Sequence, residues 1–163
     1  MPPGARNLAA FKDNCTACHA CVAACPNNII KPASFEYGID GIMLPTLKYD
    51  GKYCSYECNL CSQTCPHGAL EHISLEEKQK TQIALAVYDP STCVIIQDGV
   101  NCGACSRSCP AGAIEMKENP VVPGQFLPSV NSSLCIGCGA CEYACPAMPK
   151  AIMVKGKTVQ TLA

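Results

Sequence analysis

The apolar positions of this chain form no long periodic stretch, so its elements have to be short. Residues 1 to 14 are a lead-in whose first core contact is Phe11. Residues 27 to 53 scatter Ile42, Leu44 and Leu47 among Pro32, Gly38, Gly41, Pro45 and Gly51, a pattern of turns and short strands. The best helix signal is Ser74-Leu75-Glu76-Glu77, a capping box in which the serine oxygen and the glutamate carboxylate each satisfy a backbone donor. It predicts a helix from Leu75 to Gln82, then a strand from Ile83 to Val87 that ends at the Pro90 turn. Pro120, Pro123, Gly124 and Pro128 predict an extended connector, and Ile152 to Val154 a short closing strand. No apolar span approaches the roughly 18 residues of a membrane-crossing helix.

Four apolar pairs recur at matching places: Ile29-Ile30, Ala69-Leu70, Ala113-Ile114 and Ala151-Ile152. Each follows shortly after a Cys-Pro step, and those steps close four runs that together hold all 16 cysteines. The run Cys135, Cys138, Cys141, Cys145 before Pro146 reads C-x2-C-x2-C-x3-C-P. In that pattern three close thiolates grip one cubane iron-sulfur cluster and the fourth reaches a neighbouring cluster. Cys15, Cys18, Cys21 and Cys25 repeat it. Cys54, Cys58, Cys61 and Cys65 carry one extra residue between the first two thiols, and in the third run Cys93 stands well ahead of Cys102, Cys105 and Cys109. Cys93 is expected to be a ligand, because without it that run alone would lack a fourth thiol. The sixteen cysteines are thus expected to hold four [4Fe-4S] clusters, with the apolar pairs packed over them to exclude water.

Other uses of cysteine fit less well. A disulfide framework scatters its cysteines along the loops it closes rather than grouping them in fours before proline. Cys15-x-x-Cys18-His19 is the haem-attachment signature, but that reading orphans Cys21 and Cys25, which are in register with the other runs. Structural zinc takes two pairs per ion and has no use for a triplet followed by a fourth thiol. His67 and His72 are expected at the surface near run ends, and no His, Ser or carboxylate grouping resembles a catalytic set.

A loop that wraps a cubane must curl until its amides face the sulfurs, which calls for positive φ. The residue after the second thiol is His19, Asn59, Gly103 or Gly139, all types that tolerate that region, so one shared bend is expected in all four loops. The following residue is Ala20, Leu60, Ala104 or Ala140, apolar each time. The charge is nearly balanced, with 12 Lys+Arg against 13 Asp+Glu and no basic run, which argues against nucleic acid as a partner. Four filled clusters would add about eight negative charges, and suit a basic docking face on a redox partner.

Beyond the cysteines, the order of features resembles the MauM/NapG-type polyferredoxins. The resemblance rests on Pro3-Gly-Ala-Arg6, Cys65-Pro-His-Gly-Ala-Leu70, Ala84-Leu-Ala-Val87, the wide Cys93 to Cys102 gap and Pro128-Ser-Val130. It covers nearly the whole chain and implies a four-cluster electron carrier or electron-transfer subunit rather than an enzyme. It also implies a quinol-oxidising membrane partner, a terminal reductase, and export of the folded protein by the twin-arginine route to the periplasmic face. The chain departs from that pattern in its second run and in an amino-terminal stretch with neither an apolar signal region nor a twin-Arg pair, which reads either as a cytoplasmic chain or as a trimmed start. The rival reading is a module in which zinc or clusters serve only to fold the chain.

The fold class expected is α+β, two ferredoxin-like units of short helices and strands. The first and fourth runs have regular spacing and the second and third do not. That asymmetry suggests a regular unit, residues 1–32 plus 120–163, interrupted by an inserted one, residues 33–119. Cys145 would then join Cys15, Cys18 and Cys21, and Cys25 would join Cys135, Cys138 and Cys141. In the insert, Cys109 would join Cys54, Cys58 and Cys61, and Cys65 would join Cys93, Cys102 and Cys105. Sequential pairing of runs is the alternative, since neighbours in sequence are usually neighbours in space.

Overall fold

Each half of the chain repeats one order of elements: a cysteine run with a short helix, a two-stranded hairpin, and a second run with another short helix. The structure, a computed structural model, describes residues 1–163. In the first half α1 (Leu8–Asn14) starts at Asn7, whose side chain accepts from the Ala10 amide at 2.9 Å, and it buries Phe11. Then come α2 (Ala20–Ala24), the antiparallel pair β1 (Ile30–Pro32) and β2 (Pro45–Leu47), and α3 (Leu60–Gln63). A linker follows, made of α4 (Leu75–Lys80) and β3 (Thr81–Tyr88). The second half runs α5 (Val94–Gln97), α6 (Ala104–Arg107), the antiparallel pair β4 (Ile114–Glu118) and β5 (Phe126–Val130), α7 (Ala140–Ala144) and β6 (Ile152–Leu162).

In each half, chain ahead of the first run pairs with chain after the second. In the second half this is the antiparallel β3–β6 ladder, with Tyr88 opposite Ile152 and a bulge between Gln82 and Ala84. In the first half it shrinks to the Glu71 amide donating to the Gly4 carbonyl at 2.9 Å. The end of β6 then reaches the amino terminus, where the Gln160 amide donates to Arg6 and its side chain donates to the Pro2 carbonyl at 2.8 Å.

The capping box is present as the sequence predicts, but α4 stops at Lys80, because Thr81 and Gln82 join β3 opposite Leu162 and Thr161. The closing strand has 11 residues rather than three, since β3 gives it a partner along most of its length. The expected connector from 120 to 128 is instead the turn and return strand of a hairpin, with Pro128 opposite Met116 in a two-stranded sheet where a missing donor is tolerated.

One core fills the first half and continues into the fourth run through Ile136, Cys138 and Ala140. A smaller one surrounds Cys93, Ile95, Ile114, Ala147 and Ile152. Besides the Gln160 bonds, the halves are tied by the Tyr49 hydroxyl donating to the Gly137 carbonyl at 2.7 Å and the Cys54 amide donating to the Cys138 carbonyl at 2.7 Å, while the Ile83 amide of β3 donates to the Ile136 carbonyl at 3.1 Å. At this seam Gly137 has φ of 72°, and a Cβ there would overlap the Ala84 backbone. Gly137→Ala is therefore expected to cost on the order of 3 kcal/mol from strain and overpacking. Gly156, with open space around it, is the control. Thermal loss of the visible absorption should come at clearly lower temperature for Gly137→Ala and be nearly unchanged for Gly156→Ala.

Candidate iron-sulfur sites

The four short helices that follow the runs stand in two adjacent pairs, α2 beside α3 and α6 beside α7. Each carries the third thiol of its run in its first turn; α2 and α7 end on the fourth thiol, while α3 and α6 are capped by Thr64 and Ser108, one residue before it. Cys21 lies in α2 and Cys25 caps it, and Cys141 lies in α7 and Cys145 caps it. Helix ends placed side by side let each run deliver its fourth thiol to its neighbour.

The thiols group accordingly. Cys15, Cys18 and Cys21 line one cavity with Cys65, and Cys54, Cys58 and Cys61 line another with Cys25. Cys93, Cys102 and Cys105 line a third with Cys145. Cys138 and Cys141 both feel the charges of Cys135 and of Cys109, which identifies the fourth group. These groups are called sites I, II, III and IV in the order of their leading run, first to fourth. The nested pairing expected from run spacing is thereby corrected. Cys25 meets the second run and not the fourth, Cys65 the first and not the third, Cys109 the fourth and Cys145 the third. The units are successive halves of the chain, not an insert within a host. Irregular spacing is absorbed locally: the long gap after Cys93 is taken up by α5, which Cys93 itself caps, so it has no bearing on which run is the partner.

The shared bend is also corrected. His19 has φ of 60° and Gly139 of 83°, but Asn59 has −127° and Gly103 lies at an extended 162°. In the two regular runs the residue before the second thiol is reversed as well, Ala17 at 51° and Gly137 at 72°. The irregular runs bring in their first thiol by a longer path and do without both reversals. Asn59 serves instead as a tie, donating from its side chain to the Ile73 carbonyl at 2.9 Å.

The donor set fits cubanes better than the alternatives. All sixteen thiols are free of disulfides. The cavities of sites I, II and III are near-equal, about 330, 350 and 340 Å³ counted to their open mouths. Each group joins a triplet from one run to a single thiol of another, whereas structural zinc takes two pairs per ion. Ile29 and Ile30 wall site II, Ala69 and Leu70 site I, and Ala151 and Ile152 site III. Two of these apolar pairs have a further role, since the Leu70 amide donates to Cys65 Sγ at 3.4 Å and the Ala113 amide to Cys109 Sγ at 3.3 Å. The Ala86 amide of β3 faces Cys135 Sγ at 3.5 Å. Such donors favour extra negative charge on sulfur.

Burial pushes the Cys21, Cys54 and Cys105 thiols up to about 11, and Cys61 and Cys141 up to about 12. In the metal-free chain these groups are neutral at pH 7, so taking up iron displaces protons. Tyr88, a residue the sequence did not single out, lines site III. Its hydroxyl is buried without any nitrogen or oxygen partner. Burial, with the Cys93 sulfur nearby, pushes it up. The signal in the sequence was faint: Tyr88 shares a strand face with Ala84 and Ala86, and strand period alone gives no hint of a sulfur opposite.

A family profile described as "4Fe-4S dicluster domain" matches residues 14–69 and 100–148, one match on each half. The ferredoxin-type protein NapF of Escherichia coli K12 is 32% identical over 139 residues, covering 83% of this chain and 73% of that protein. The ferredoxin-type protein NapG of the same strain is 35% identical over 142 residues, covering 83% of this chain and 61% of its own length. A chain of the formate dehydrogenase, heterodisulfide reductase and formylmethanofuran dehydrogenase complex of Methanospirillum hungatei superposes at a TM-score of 0.36 with 23% identity, covering 93% of this chain and 51% of that one. A score that low carries no argument.

Two expectations follow. Cys25→Ser and Cys58→Ser should perturb the same paramagnetic signal, because both thiols line site II; matching defects in Cys25→Ser and Cys138→Ser would instead restore the nested pairing. Tyr88→Phe should keep its iron but lower the midpoint potential of one cluster, by up to roughly 60 mV or a tenfold change for one electron, because it removes an unpartnered buried hydroxyl dipole from the wall of site III.

Proposed function

This chain belongs to the ferredoxin-type 4Fe-4S dicluster proteins, and on that premise we propose that it is a four-cluster electron relay whose sites stand in the order I, II, IV, III. The observation that carries the order is the direct hydrogen bond from the Cys54 amide to the Cys138 carbonyl, which sets site II of the first half against site IV of the second. Within the first half, Cys21 of site I acts electrostatically on Cys61 of site II. Within the second, α6 and α7 lie together and exchange their last thiols. A bound [4Fe-4S] cluster supplies reversible one-electron transfer, with a potential set by its hydrogen bonds, burial and neighbouring charge.

The chain's own residues hold and insulate. Site IV has Cys135, Cys138 and Cys141 all buried, whereas site I contains Cys18, which is exposed. An open end and an enclosed middle suit a carrier that meets its partner at site I and keeps water from the inner sites. The donor proposed is a membrane quinol-oxidising protein and the acceptor a terminal reductase, as the resemblance implies. No helix of the chain is long and apolar enough to cross a membrane.

Anaerobically loaded protein is expected to contain about sixteen iron atoms per chain, from four cubanes, and to take up about four electrons reversibly from a low-potential reductant. A loaded protein that takes up no electrons would leave only a folding role for the metal. About half that iron would mean that one half of the chain alone is a dicluster unit.

A further inference from the structure

The capped helix α4 carries a charge where a short surface helix should not. Its neighbours Glu76, Glu77 and Lys80 face outward, and Glu76 and Lys80 pair with each other. Lys78 points inward and is only 2% exposed. Its Nζ donates to the Ser55 carbonyl and, at 3.1 Å, to the Tyr56 carbonyl, and it lies 5.8 Å from the centre of the Tyr56 ring. Lys78 takes part in none of the chain's ion pairs. Lysine is almost never fully buried without an anionic partner, because removing its charge from water costs several kcal/mol. Two neutral carbonyls and a ring face offset only part of that.

The missing counter-charge lies on the other side of those carbonyls. Ser55 and Tyr56 belong to the loop from Cys54 to Cys58 that lines site II. The Cys54 amide in turn donates to the Cys138 carbonyl of site IV at 2.7 Å, so the loop that holds the Lys78 ammonium touches both sites. No carboxylate supplies that counter-charge. Four thiolates around an iron-sulfur core do offer it, and their net charge becomes more negative on reduction.

We propose that Lys78 is the buried counter-cation shared by the two inner sites, II and IV, and that it raises their reduction potentials relative to the outer sites. It acts as a positioning residue of charge rather than a ligand. The linker helix then has a purpose beyond connecting the halves: it delivers one cation to the seam where an electron leaves the first half for the second. A stationary positive charge there makes the seam a favourable resting place and not a barrier. This inference rests on the relay reading above.

The test compares full-length loaded protein carrying Lys78→Met, Lys78→Gln or Lys78→Arg with wild type, by iron analysis and by anaerobic titration followed by electron paramagnetic resonance. Lys78→Met is expected to retain its iron while two of the four midpoint potentials fall, each by at least a tenfold change in the reduction equilibrium, or roughly 60 mV for one electron. Lys78→Arg should stay near wild type, and the shift should persist at high salt, because buried charges are little screened. Should Lys78→Met fail to load, Lys78→Gln, which can still donate to the two carbonyls, gives the same comparison. Unmoved potentials in a loaded neutral variant, or an equal shift of all four, would overturn the role of Lys78 and leave the relay reading intact. A wild-type protein with no reducible clusters would instead sink the relay reading itself.

Discussion

In both halves of the chain two short helices lie side by side, and each gives one thiol to the site of its own loop and the next to its neighbour's. This exchange ties elements that could not stand alone. Helices of four to seven residues are too short to be stable in isolation, since nucleation is not repaid over so few hydrogen bonds. The hairpins have only three or five residues per strand. Thiols at the helix ends convert metal binding into a cross-brace between the two runs of a half, so folding and loading become one process.

The same constraint explains where the apolar residues go. A site that holds a charged sulfur cage must exclude water without offering stray polar groups, and the buried pairs Ile29-Ile30, Ala69-Leu70, Ala113-Ile114 and Ala151-Ile152 do this. Their amides are not idle, as Leu70 and Ala113 show by pointing N–H groups at the fourth thiol. Against that common plan the sites differ in single features: an exposed thiol at site I, a tyrosine hydroxyl at site III, and a buried lysine on the loop of site II. Local charge, hydrogen bonding and solvent exposure all set a cluster's potential, and these features differ in those respects from site to site.

The long β6 strand joins the halves by a second route. It leaves the second half along β3 and ends against Arg6 and Gly4, so the two chain termini meet although the units are successive. Meeting termini are therefore no sign of a nested arrangement, because one extended strand spans the distance.

The grouping of the cysteines in fours, the apolar pairs and the capping box at Ser74 are legible in the chain alone, because each is written in spacings of a few residues. Local chemistry was enough for those: a thiol every third residue and proline after the last need no knowledge of the rest of the chain. Which run exchanges thiols with which was decided only in three dimensions. It depends on the direction in which Cys25 and Cys65 leave α2 and α3, and irregular spacing within a run, as at Cys93, is absorbed in its own loop. The bend at Asn59 and Gly103 could not be read from residue type, since a type that permits positive φ does not require it. Lys78 and Tyr88 were invisible for a related reason: the sequence places one on a charged helix and one at a strand end, and only tertiary packing turns the first toward Cys54 and the second toward Cys93.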